Sequence, residues 1–438
     1  MPRNTPYPPN PRPARRAYLT LALATALTAS LTACETSAAA QGTAHTPTGR
    51  PSAVTTQEAQ LARLAQQNVA AGAPGVVVRI DKGNGPAIAI TRQAPWTRAD
   101  HTLAASDEFR MGSNTKTMVA TVVLQLVAEH RLRLTDPVEK WLPGLIPNGS
   151  AITLRMLLDH TSGLSNYTYD PDVLKAFTGQ DPRQWTPEDL IAAAVRHDPL
   201  FVPGTGYSYS NTNYVALGLV AEKATGHSLS DLIQKRIAKP LHLKNTYLVT
   251  DSGDVTKSPD LAHGYEPDAA HLAPVLPAGT PAGTAFVGPA RPAGYVDTTR
   301  INLSTEWAAG GMVSTAQDWA RFDTALMSGK LLPPAQLKEM KTTVAEESGN
   351  PNRYGLGLEK KVTPCGTVWG HDGQVPGYSS WDYTDNTGRR TVSVFTTTIF
   401  GIANPKTAAT NQALLNAAIC TMLDKPIPTT PTPAPTDS

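Results

Sequence analysis

The sequence is poor in residues that bind metal ions, and it carries little net charge. Its 438 residues include three cysteines and ten histidines, and no His-Glu-x-x-His or other metal-ligand spacing occurs among them. Lysine and arginine together exceed aspartate and glutamate by only 2, which excludes the strongly basic surface that nucleic acids require. We therefore predict no metal, no cofactor and no nucleic-acid partner.

Long apolar runs are also scarce, and the one near the N terminus, Ala17 to Leu31, is too short for a confident membrane span. It follows a basic start and ends in small residues, which is typical of a signal peptide. The sequence Leu-Thr-Ala-Cys at 31–34 resembles a bacterial lipobox and implies cleavage before Cys34, with a diacylglycerol on that cysteine. The alternative is plain secretion with cleavage near residues 38–40, and Arg15-Arg16 leaves a twin-arginine export route open.

We thus predict a signal peptide over residues 1–33 and an extracytoplasmic protein. Its only attachment to the outer face of the membrane is expected to be the lipid on Cys34. Removal of the four arginines in that peptide leaves a net charge of about −2. Export would place Cys365 and Cys420 in an oxidising compartment, where two remaining cysteines normally pair. We predict a disulfide between them, and the alternative is two buried free thiols.

The chain is predicted to fold as one catalytic domain over residues 56–425, between a linker at 34–55 and a Pro/Thr-rich disordered tail at 426–438. Alternating apolar residues and turn chemistry predict strand hairpins near both ends, at 76–90 and 379–398, and helical spacing predicts helices over 58–69 and 405–423. We expect an α/β (α+β) fold: an antiparallel sheet built from both termini and flanked by helices, with a mostly helical subdomain inserted at about 116–300 and the active site between the two. Within it, residues 251–300 are rich in Pro and Gly and are expected to be irregular.

Ser113-Asn114-Thr115-Lys116 is the only Ser-x-x-Lys in the chain, and it opens an apolar helix. One helical turn separates serine and lysine, so the amine can reach the hydroxyl. A serine attacks a carbonyl only when a base takes its proton, and a lysine is a base only when burial or another cation lowers its pKa. The alternative is that Ser113 merely caps the helix while Lys116 reaches solvent.

Two later segments favour catalysis: Tyr209-Ser210-Asn211 before a second apolar helix, and His371-Asp372-Gly373 before a strand. Ser-x-x-Lys, Tyr-x-Asn and His-x-Gly in this order resemble the serine beta-lactamase and penicillin-binding superfamily, above all its class C beta-lactamase and secreted D-alanyl-D-alanine carboxypeptidase branch. The segments at 134–138, 152–164 and 309–314 extend the resemblance over residues 60–423.

The resemblance implies that Ser113 forms an acyl-enzyme and that Lys116 and Tyr209 share the base role, the tyrosine having a pKa lowered by neighbouring cations. It implies that Asn211 binds the substrate amide and steadies Lys116, and that His371 acts electrostatically near the tyrosine oxygen. The backbone N–H groups of Ser113 and Gln374 would form the oxyanion hole, worth about 3 kcal/mol per donor.

Other positions are open or depart from the branch. Trp307 is either an aromatic substrate wall or core packing, and His160 is expected to be structural. Carboxypeptidases of the branch bind the substrate's terminal carboxylate through an arginine and a hydroxyl, where this chain has Glu359 and Gln374, with lysines only at 360 and 361.

The expected function is therefore acyl transfer by a serine hydrolase, most simply a D-alanyl-D-alanine carboxypeptidase or related D-peptidase acting on peptidoglycan stem peptides. The alternatives are an esterase or amidase with the same machinery, or a slow penicillin-binding receptor. We expect beta-lactams to be covalent inhibitors and the protein to be a monomer.

Overall fold

The computed structural model describes residues 53–250, 258–276, 279–346, 349–399 and 405–428. The predicted signal peptide, the lipid-carrying Cys34 and most of the tail lie outside this part of the chain. Within it, no helix is both long and apolar enough to cross a membrane.

The strands confirm the predicted antiparallel sheet. Eight of them form one sheet in the order β2-β1-β14-β13-β12-β11-β10-β9, so the N-terminal hairpin pairs with the last strand of the chain. Two three-stranded sheets, β3-β8-β4 and β5-β7-β6, complete the described strands. The bounds are β1 Gly75–Asp81, β2 Ile88–Gln93, β3 Phe109–Arg110, β4 Tyr247–Leu248, β5 Tyr265–Pro267, β6 Ala290–Arg291, β7 Tyr295–Asp297, β8 Met312–Ser314, β9 Val344–Ala345, β10 Arg353–Tyr354, β11 Glu359–Thr363, β12 Gly366–Val375, β13 Tyr378–Thr384 and β14 Thr391–Thr396.

The helices lie mostly between β3 and β8, as the sequence predicts. Several of them begin with a proline in the first turn or with a side chain that caps the N-terminus. Thr186, for example, caps α5 and forms a reciprocal capping box with Asp189. The described helices are α1 Ala53–Ala70, α2 Thr115–Ala128, α3 Leu154–Leu158, α4 Pro171–Phe177, α5 Pro187–Ala194, α6 Asn211–Thr225, α7 Leu229–Ile233, α8 Ala269–Leu272, α9 Trp307–Gly310, α10 Ala316–Met327, α11 Pro334–Met340 and α12 Pro405–Met422.

The large sheet separates two cores. On the face that we call the front, α10 packs against β1, β13 and β14, and α2 and α6 contribute to the same core as Val77 and Phe395. On the back face, α1 and α12 cover the alternate side chains, such as Val76 and Val394. This alternation follows from the two-residue period of a strand.

A disulfide joins Cys365 to Cys420, with their Cα atoms 5.2 Å apart. Cys365 directly precedes β12 and Cys420 lies on α12, so the bond ties the back-face helix to this strand. The predicted pairing is therefore present in the structure.

The expectation that residues 251–300 are irregular holds for most of the described part, but not for all of it. From residue 258 onward this segment contains α8 and the sheet β5-β7-β6, whose strands of two or three residues are too short to leave a pattern in the sequence. It is fixed to the large sheet through Glu266, whose buried carboxylate accepts hydrogen bonds from the backbone N–H groups of Gly377 at 2.6 Å and Ile399 at 2.8 Å. The segment thus braces the turn that follows β12.

Candidate active site

Ser113 lies in a turn of 3₁₀ helix, Gly112–Asn114, that leads directly into α2. Nearly every side chain of α2 is buried, because its sequence of Val, Met, Leu, Ala and Thr offers no polar face. The helix is therefore fixed in the front core, and its N-terminus presents Ser113 and Lys116 to the same space. The Lys116 Nζ donates a hydrogen bond to the Ser113 Oγ at 2.9 Å.

Lys116 is completely buried, which excludes the alternative of a solvent-exposed lysine. Its Nζ also donates to the Asn211 Oδ1 and to the Ala309 carbonyl oxygen, both at 2.7 Å. Burial lowers the pKa of Lys116 to about 7, although the negative charges of Glu306 and Asp372 oppose this shift. A substantial share of the amine is therefore uncharged near neutral pH and can accept a proton.

Tyr209 lies beside this pair, but its predicted low pKa is wrong. Burial raises the pKa of its phenol well above the ordinary value; the neighbouring Ser113 hydroxyl lowers it, and the negative charges of Asp372 and Glu359 raise it. The Lys116 Nζ lies over the ring face, 4.8 Å from the centroid. Tyr209 is thus a neutral phenol beside the Ser113 hydroxyl, although its own hydroxyl makes no hydrogen bond of ordinary geometry with any described residue.

His371 is near Tyr209, with ring centroids 6.1 Å apart, and its electrostatic role near the tyrosine oxygen stays a prediction. It is 1% exposed, and burial lowers its pKa to about 4, so the imidazole is neutral at pH 7. Its Nδ1 donates to the Asp372 carbonyl oxygen, and its Nε2 therefore accepts from the Tyr354 hydroxyl at 2.8 Å. Its direct hydrogen-bond partner is Tyr354 rather than the Tyr209 oxygen.

The two predicted oxyanion donors, the N–H groups of Ser113 and Gln374, are brought together by glycines. Gly112 has a φ of +52°, and a Cβ on it would lie 2.5 Å from the Gln374 nitrogen. A Cβ on Gly373 would lie 2.8 Å from the Ser113 nitrogen and 2.0 Å from the Met111 oxygen. Only glycine at both positions lets β12 approach the turn so closely.

Asn211 begins α6, where its backbone N–H donates to the Asn166 side chain at 3.2 Å. His160 lies behind Tyr209, with ring centroids 4.3 Å apart, and its Nδ1 accepts from the Ser210 backbone at 3.2 Å and the Asn213 side chain at 3.0 Å. Burial holds the pKa of His160 well below its ordinary value. It is a neutral part of the wall that supports Tyr209, in line with the structural role expected for it.

Trp307 and Glu359, two positions with a possible role in substrate binding, both contact other residues of the protein. The Trp307 ring packs against Gly218 of α6, where a Cβ would lie 2.8 Å from the ring. This is the core-packing alternative, and the role of substrate wall stays a prediction. Glu359 accepts a hydrogen bond from Tyr383 at 3.2 Å, and burial raises its pKa well above the ordinary value.

Three groups at the site escaped the sequence analysis: Tyr354, the Ala309 carbonyl and Glu306. Tyr354 lies on a strand of two residues, and it reaches His371 only through tertiary packing. A backbone carbonyl that binds an amine has no sequence signal. Glu306 had one signal in the sequence: it is an acid directly before a segment of apolar and small residues, Trp307 to Val313.

The site also includes a group of possible metal ligands, formed by Glu359, His371 and Asp372, whose ligand atoms lie within 4.8 Å of one another. Both ring nitrogens of His371 are already engaged, and Glu359 accepts from Tyr383. Two of the three side chains, His371 and Glu359, are thus already hydrogen-bonded to other groups, and an activated serine needs no cofactor for acyl transfer.

The sequence matches the family described as Beta-lactamase over residues 61–417. It is 28% identical over 282 residues to a penicillin-binding protein of Bacillus subtilis, which covers 64% of this chain and 58% of that protein. It is 35% identical over 162 residues to the esterase EstB of Burkholderia gladioli, covering 35% of this chain and 40% of that one. The match thus spans about three fifths of the length of the Bacillus relative.

The structure is similar to a D-stereospecific amidohydrolase from Streptomyces sp., with a TM-score of 0.70, 34% identity and coverage of 83% of this chain and 99% of that one. Both the order of strands and helices and the family match therefore agree with the resemblance carried by the three motifs. The chain belongs to the beta-lactamase and penicillin-binding protein superfamily and is a serine hydrolase of that family.

Proposed function

We propose that this protein hydrolyses amides of D-amino acids, as small amides or D-peptides, through an acyl-enzyme on Ser113. The observation that carries the proposal is the buried Lys116 amine, which contacts the Ser113 Oγ at 2.9 Å and the Asn211 side chain at 2.7 Å. The likeness to the D-stereospecific amidohydrolase supports the choice of D-configured amides.

In the proposed mechanism, the uncharged Lys116 amine takes the hydroxyl proton as the Ser113 Oγ bonds to the substrate carbonyl carbon. The N–H groups of Ser113 and Gln374 stabilise the oxyanion. The neutral Tyr209 phenol passes a proton to the leaving nitrogen and regains one from Lys116, so no phenolate has to form in the resting enzyme. Water then releases the acyl group by the reverse sequence.

The leaving end of the substrate is proposed to be neutral. Glu359 occupies the strand position where carboxypeptidases of the branch carry an arginine, and Gln374 replaces their hydroxyl. Arg110 is buried and donates to the backbone oxygens of Thr299 at 2.8 Å and Ile301 at 3.1 Å, so these bonds hold its guanidinium within the protein. Glu359 and Gln374 thus supply no positive charge for a terminal carboxylate, which disfavours D-alanyl-D-alanine as the preferred substrate.

The experiment compares kcat/KM for D-phenylalaninamide, L-phenylalaninamide and a D-alanyl-D-alanine peptide, with Ser113→Ala as the blank. We expect the D-amide to exceed its L-enantiomer and the D-alanyl-D-alanine peptide by at least about tenfold, a difference of roughly 1.4 kcal/mol in transition-state binding. A preference for the free carboxylate would instead assign the carboxypeptidase function.

A second candidate is an esterase, favoured by the similarity to EstB over 162 residues. An ester also has a neutral leaving end, and its alkoxide leaves more readily than an amine. p-Nitrophenyl acetate and a D-phenylalanine methyl ester, tested beside the amides, separate the two. High kcat/KM on both esters with no turnover of any amide would favour the esterase.

The cellular setting is also a proposal. Export, the lipid anchor on Cys34 and action on cell-wall D-peptides fit one another, because substrates with D-amino acids lie outside the cytoplasmic membrane of bacteria. Fractionation of cells producing Cys34→Ala tests the anchor: release of this variant from the membrane fraction supports it, and an entirely soluble wild type contradicts it. Labelling by a fluorescent penicillin, absent in Ser113→Ala, tests covalent inhibition by beta-lactams.

A further inference from the structure

The carbonyl that binds Lys116 belongs to a short turn whose first residue is Glu306. The Glu306 backbone oxygen accepts hydrogen bonds from the N–H groups of Ala309 at 2.7 Å and Gly310 at 2.9 Å. The Ala309 carbonyl oxygen, three residues further along that turn, accepts a hydrogen bond from the Lys116 Nζ at 2.7 Å. The backbone of Glu306 thus fixes the position of one of the three acceptors that hold the amine.

The Glu306 side chain is folded back over the same turn. A Cβ on Gly310 would lie 2.2 Å from its Oε2, so only glycine at 310 leaves room for the carboxylate. The residue is 5% exposed, and its Oε1 has no hydrogen-bond partner among the described residues. Trp307, the next residue, has a φ of +27°, a left-handed conformation that costs about 1–3 kcal/mol and persists only where the surroundings impose it.

A buried acid with an unsatisfied oxygen is costly unless a positive charge faces it. Two cations do: Lys116 from α2 and Arg110 from β3, and Tyr167 adds a neutral phenol. Arg110 is engaged with backbone oxygens of residues 299 and 301, which leaves Lys116 as the cation whose charge can change. The other titratable groups that face Lys116 are Asp372 and His371 on β12, His160, and the phenols of Tyr209 and Tyr214.

We propose that Glu306 is a positioning residue of the active site, which holds the Ala309 carbonyl against Lys116 and supplies the buried counter-charge of its amine. During acylation the Ser113 hydroxyl proton moves to the Lys116 nitrogen as the Ser113 Oγ bonds to the acyl carbon. The new ammonium charge is then offset by the Glu306 carboxylate, and the proton leaves with the substrate's departing group. This inference rests on the proposed roles of Ser113 and Lys116.

Burial supports this arrangement, because it raises the pKa of Glu306 to about 7 and lowers that of Lys116 to about 7. One proton can therefore be on either group while the pair stays neutral overall, and the two groups titrate together in two steps. The form that acylates is the one from which this proton has also left, with Lys116 uncharged and Glu306 ionised, so that the carboxylate is present when Lys116 takes the serine proton. Loss of the carboxylate leaves a buried amine alone, which gives up its proton at a lower pH.

The test is the pH dependence of Ser113 acylation by p-nitrophenyl acetate, followed as the burst of nitrophenol. In Glu306→Gln we expect the acid limb to move down by about one pH unit and to become a single step. The plateau rate should fall as well, because no carboxylate then offsets the ammonium formed during acylation. Glu306→Asp, which keeps the charge, should retain the two-step limb. Asp323→Asn is the matched control, because Asp323 is also a fully buried acid and lies away from Lys116.

An acid limb that stays in place in Glu306→Gln, or that moves equally in Asp323→Asn, would overturn the inference. A wild type without a burst, or one acylated elsewhere than on Ser113, would refute the proposed mechanism instead, so the two failures are distinguishable. If Glu306→Gln does not fold, the ¹⁵N resonance of the Lys116 amine in the wild type decides: a two-step titration supports the shared proton, and a single step contradicts it.

Discussion

The two faces of the large sheet have cores of different kinds. The back core consists of apolar side chains from α1, α12 and the strands, and its buried Asn68 is a neutral amide that donates to Thr407 and Thr410 at 3.3 and 3.1 Å. The front core contains the apolar helix α2. This core also buries the amine of Lys116 and the carboxyl groups of Glu306 and Asp323. The front face carries ionisable groups at a cost in stability that the back face does not have.

This contrast indicates that the front face serves catalysis and the back face serves stability. Burial without full compensation shifts the pKa of the amine and acids on the front face, which is what a proton transfer at neutral pH requires. The back face and its disulfide hold β12, the strand that carries Gly373 and Gln374, in place. Changes on the front should therefore alter rates and pH profiles, and changes on the back should alter stability.

The largest expected effect is at Lys116. Lys116→Arg keeps a positive charge but cannot become an uncharged base, and Lys116→Ala removes the group. Both should lower the acylation rate about 10²- to 10⁴-fold while the protein stays folded. Burst kinetics measure this, and circular dichroism checks the fold. A near-normal rate in Lys116→Arg would contradict the role of the uncharged amine.

The next effect is at the oxyanion hole. Gly373→Ala places a methyl group 2.8 Å from the Ser113 nitrogen, so the two N–H donors must move apart. We expect kcat to fall about 10²- to 10³-fold, as when one oxyanion donor is lost. Gly85→Ala is the control, because no atom lies within 4 Å of its new Cβ. Its positive φ of +80°, which Gly373 does not share, makes it a strict control, since the methyl group adds backbone strain there. Equal losses in both variants would refute the proposal.

On the back face, removal of the disulfide should separate stability from rate. For a loop of 55 residues, chain entropy predicts a loss of at most about 4 kcal/mol in the free energy of unfolding. The double variant Cys365→Ser/Cys420→Ser should thus unfold at lower urea, yet acylate at nearly the wild-type rate below its transition. A large loss of rate in the folded variant would show that the bond also shapes the site.

The smallest effect is at Asp323, where burial raises the pKa well above the ordinary value. The folded protein keeps this proton after the unfolded chain has lost it, so stability falls as the pH rises above the unfolded pKa of about 3.9. Asp323→Asn should remove that part of the slope and raise stability at pH 7.5 by on the order of 1 kcal/mol. Urea titrations at pH 5 and 7.5 measure it. An unchanged slope would contradict the assignment.

The sheet and the motif residues were predictable because their signals are local. Two-residue alternation flanked by turn residues marked β1, β2, β13 and β14, and the fixed Ser-x-x-Lys spacing placed Lys116 one turn from Ser113. The resemblance then indicated which distant segments meet. None of these conclusions depended on the degree of burial.

The protonation states were not predictable, because they depend on burial and on tertiary neighbours. His371 is neutral because β12 is covered and Tyr354 supplies its partner. The Tyr209 phenol was expected to have a low pKa, but its burial raises that pKa. Strands of two or three residues, such as β5 to β7, also leave no periodicity to read.

The most direct test of the central claim is to identify the acylated residue. Wild-type protein is mixed with p-nitrophenyl acetate and quenched in acid during the burst, and its intact mass and peptide map are then measured. We predict a single acyl group on the peptide containing Ser113, and none in Ser113→Ala under the same conditions. An adduct on another residue of the wild type, or an equal adduct in Ser113→Ala, would contradict Ser113 as the nucleophile.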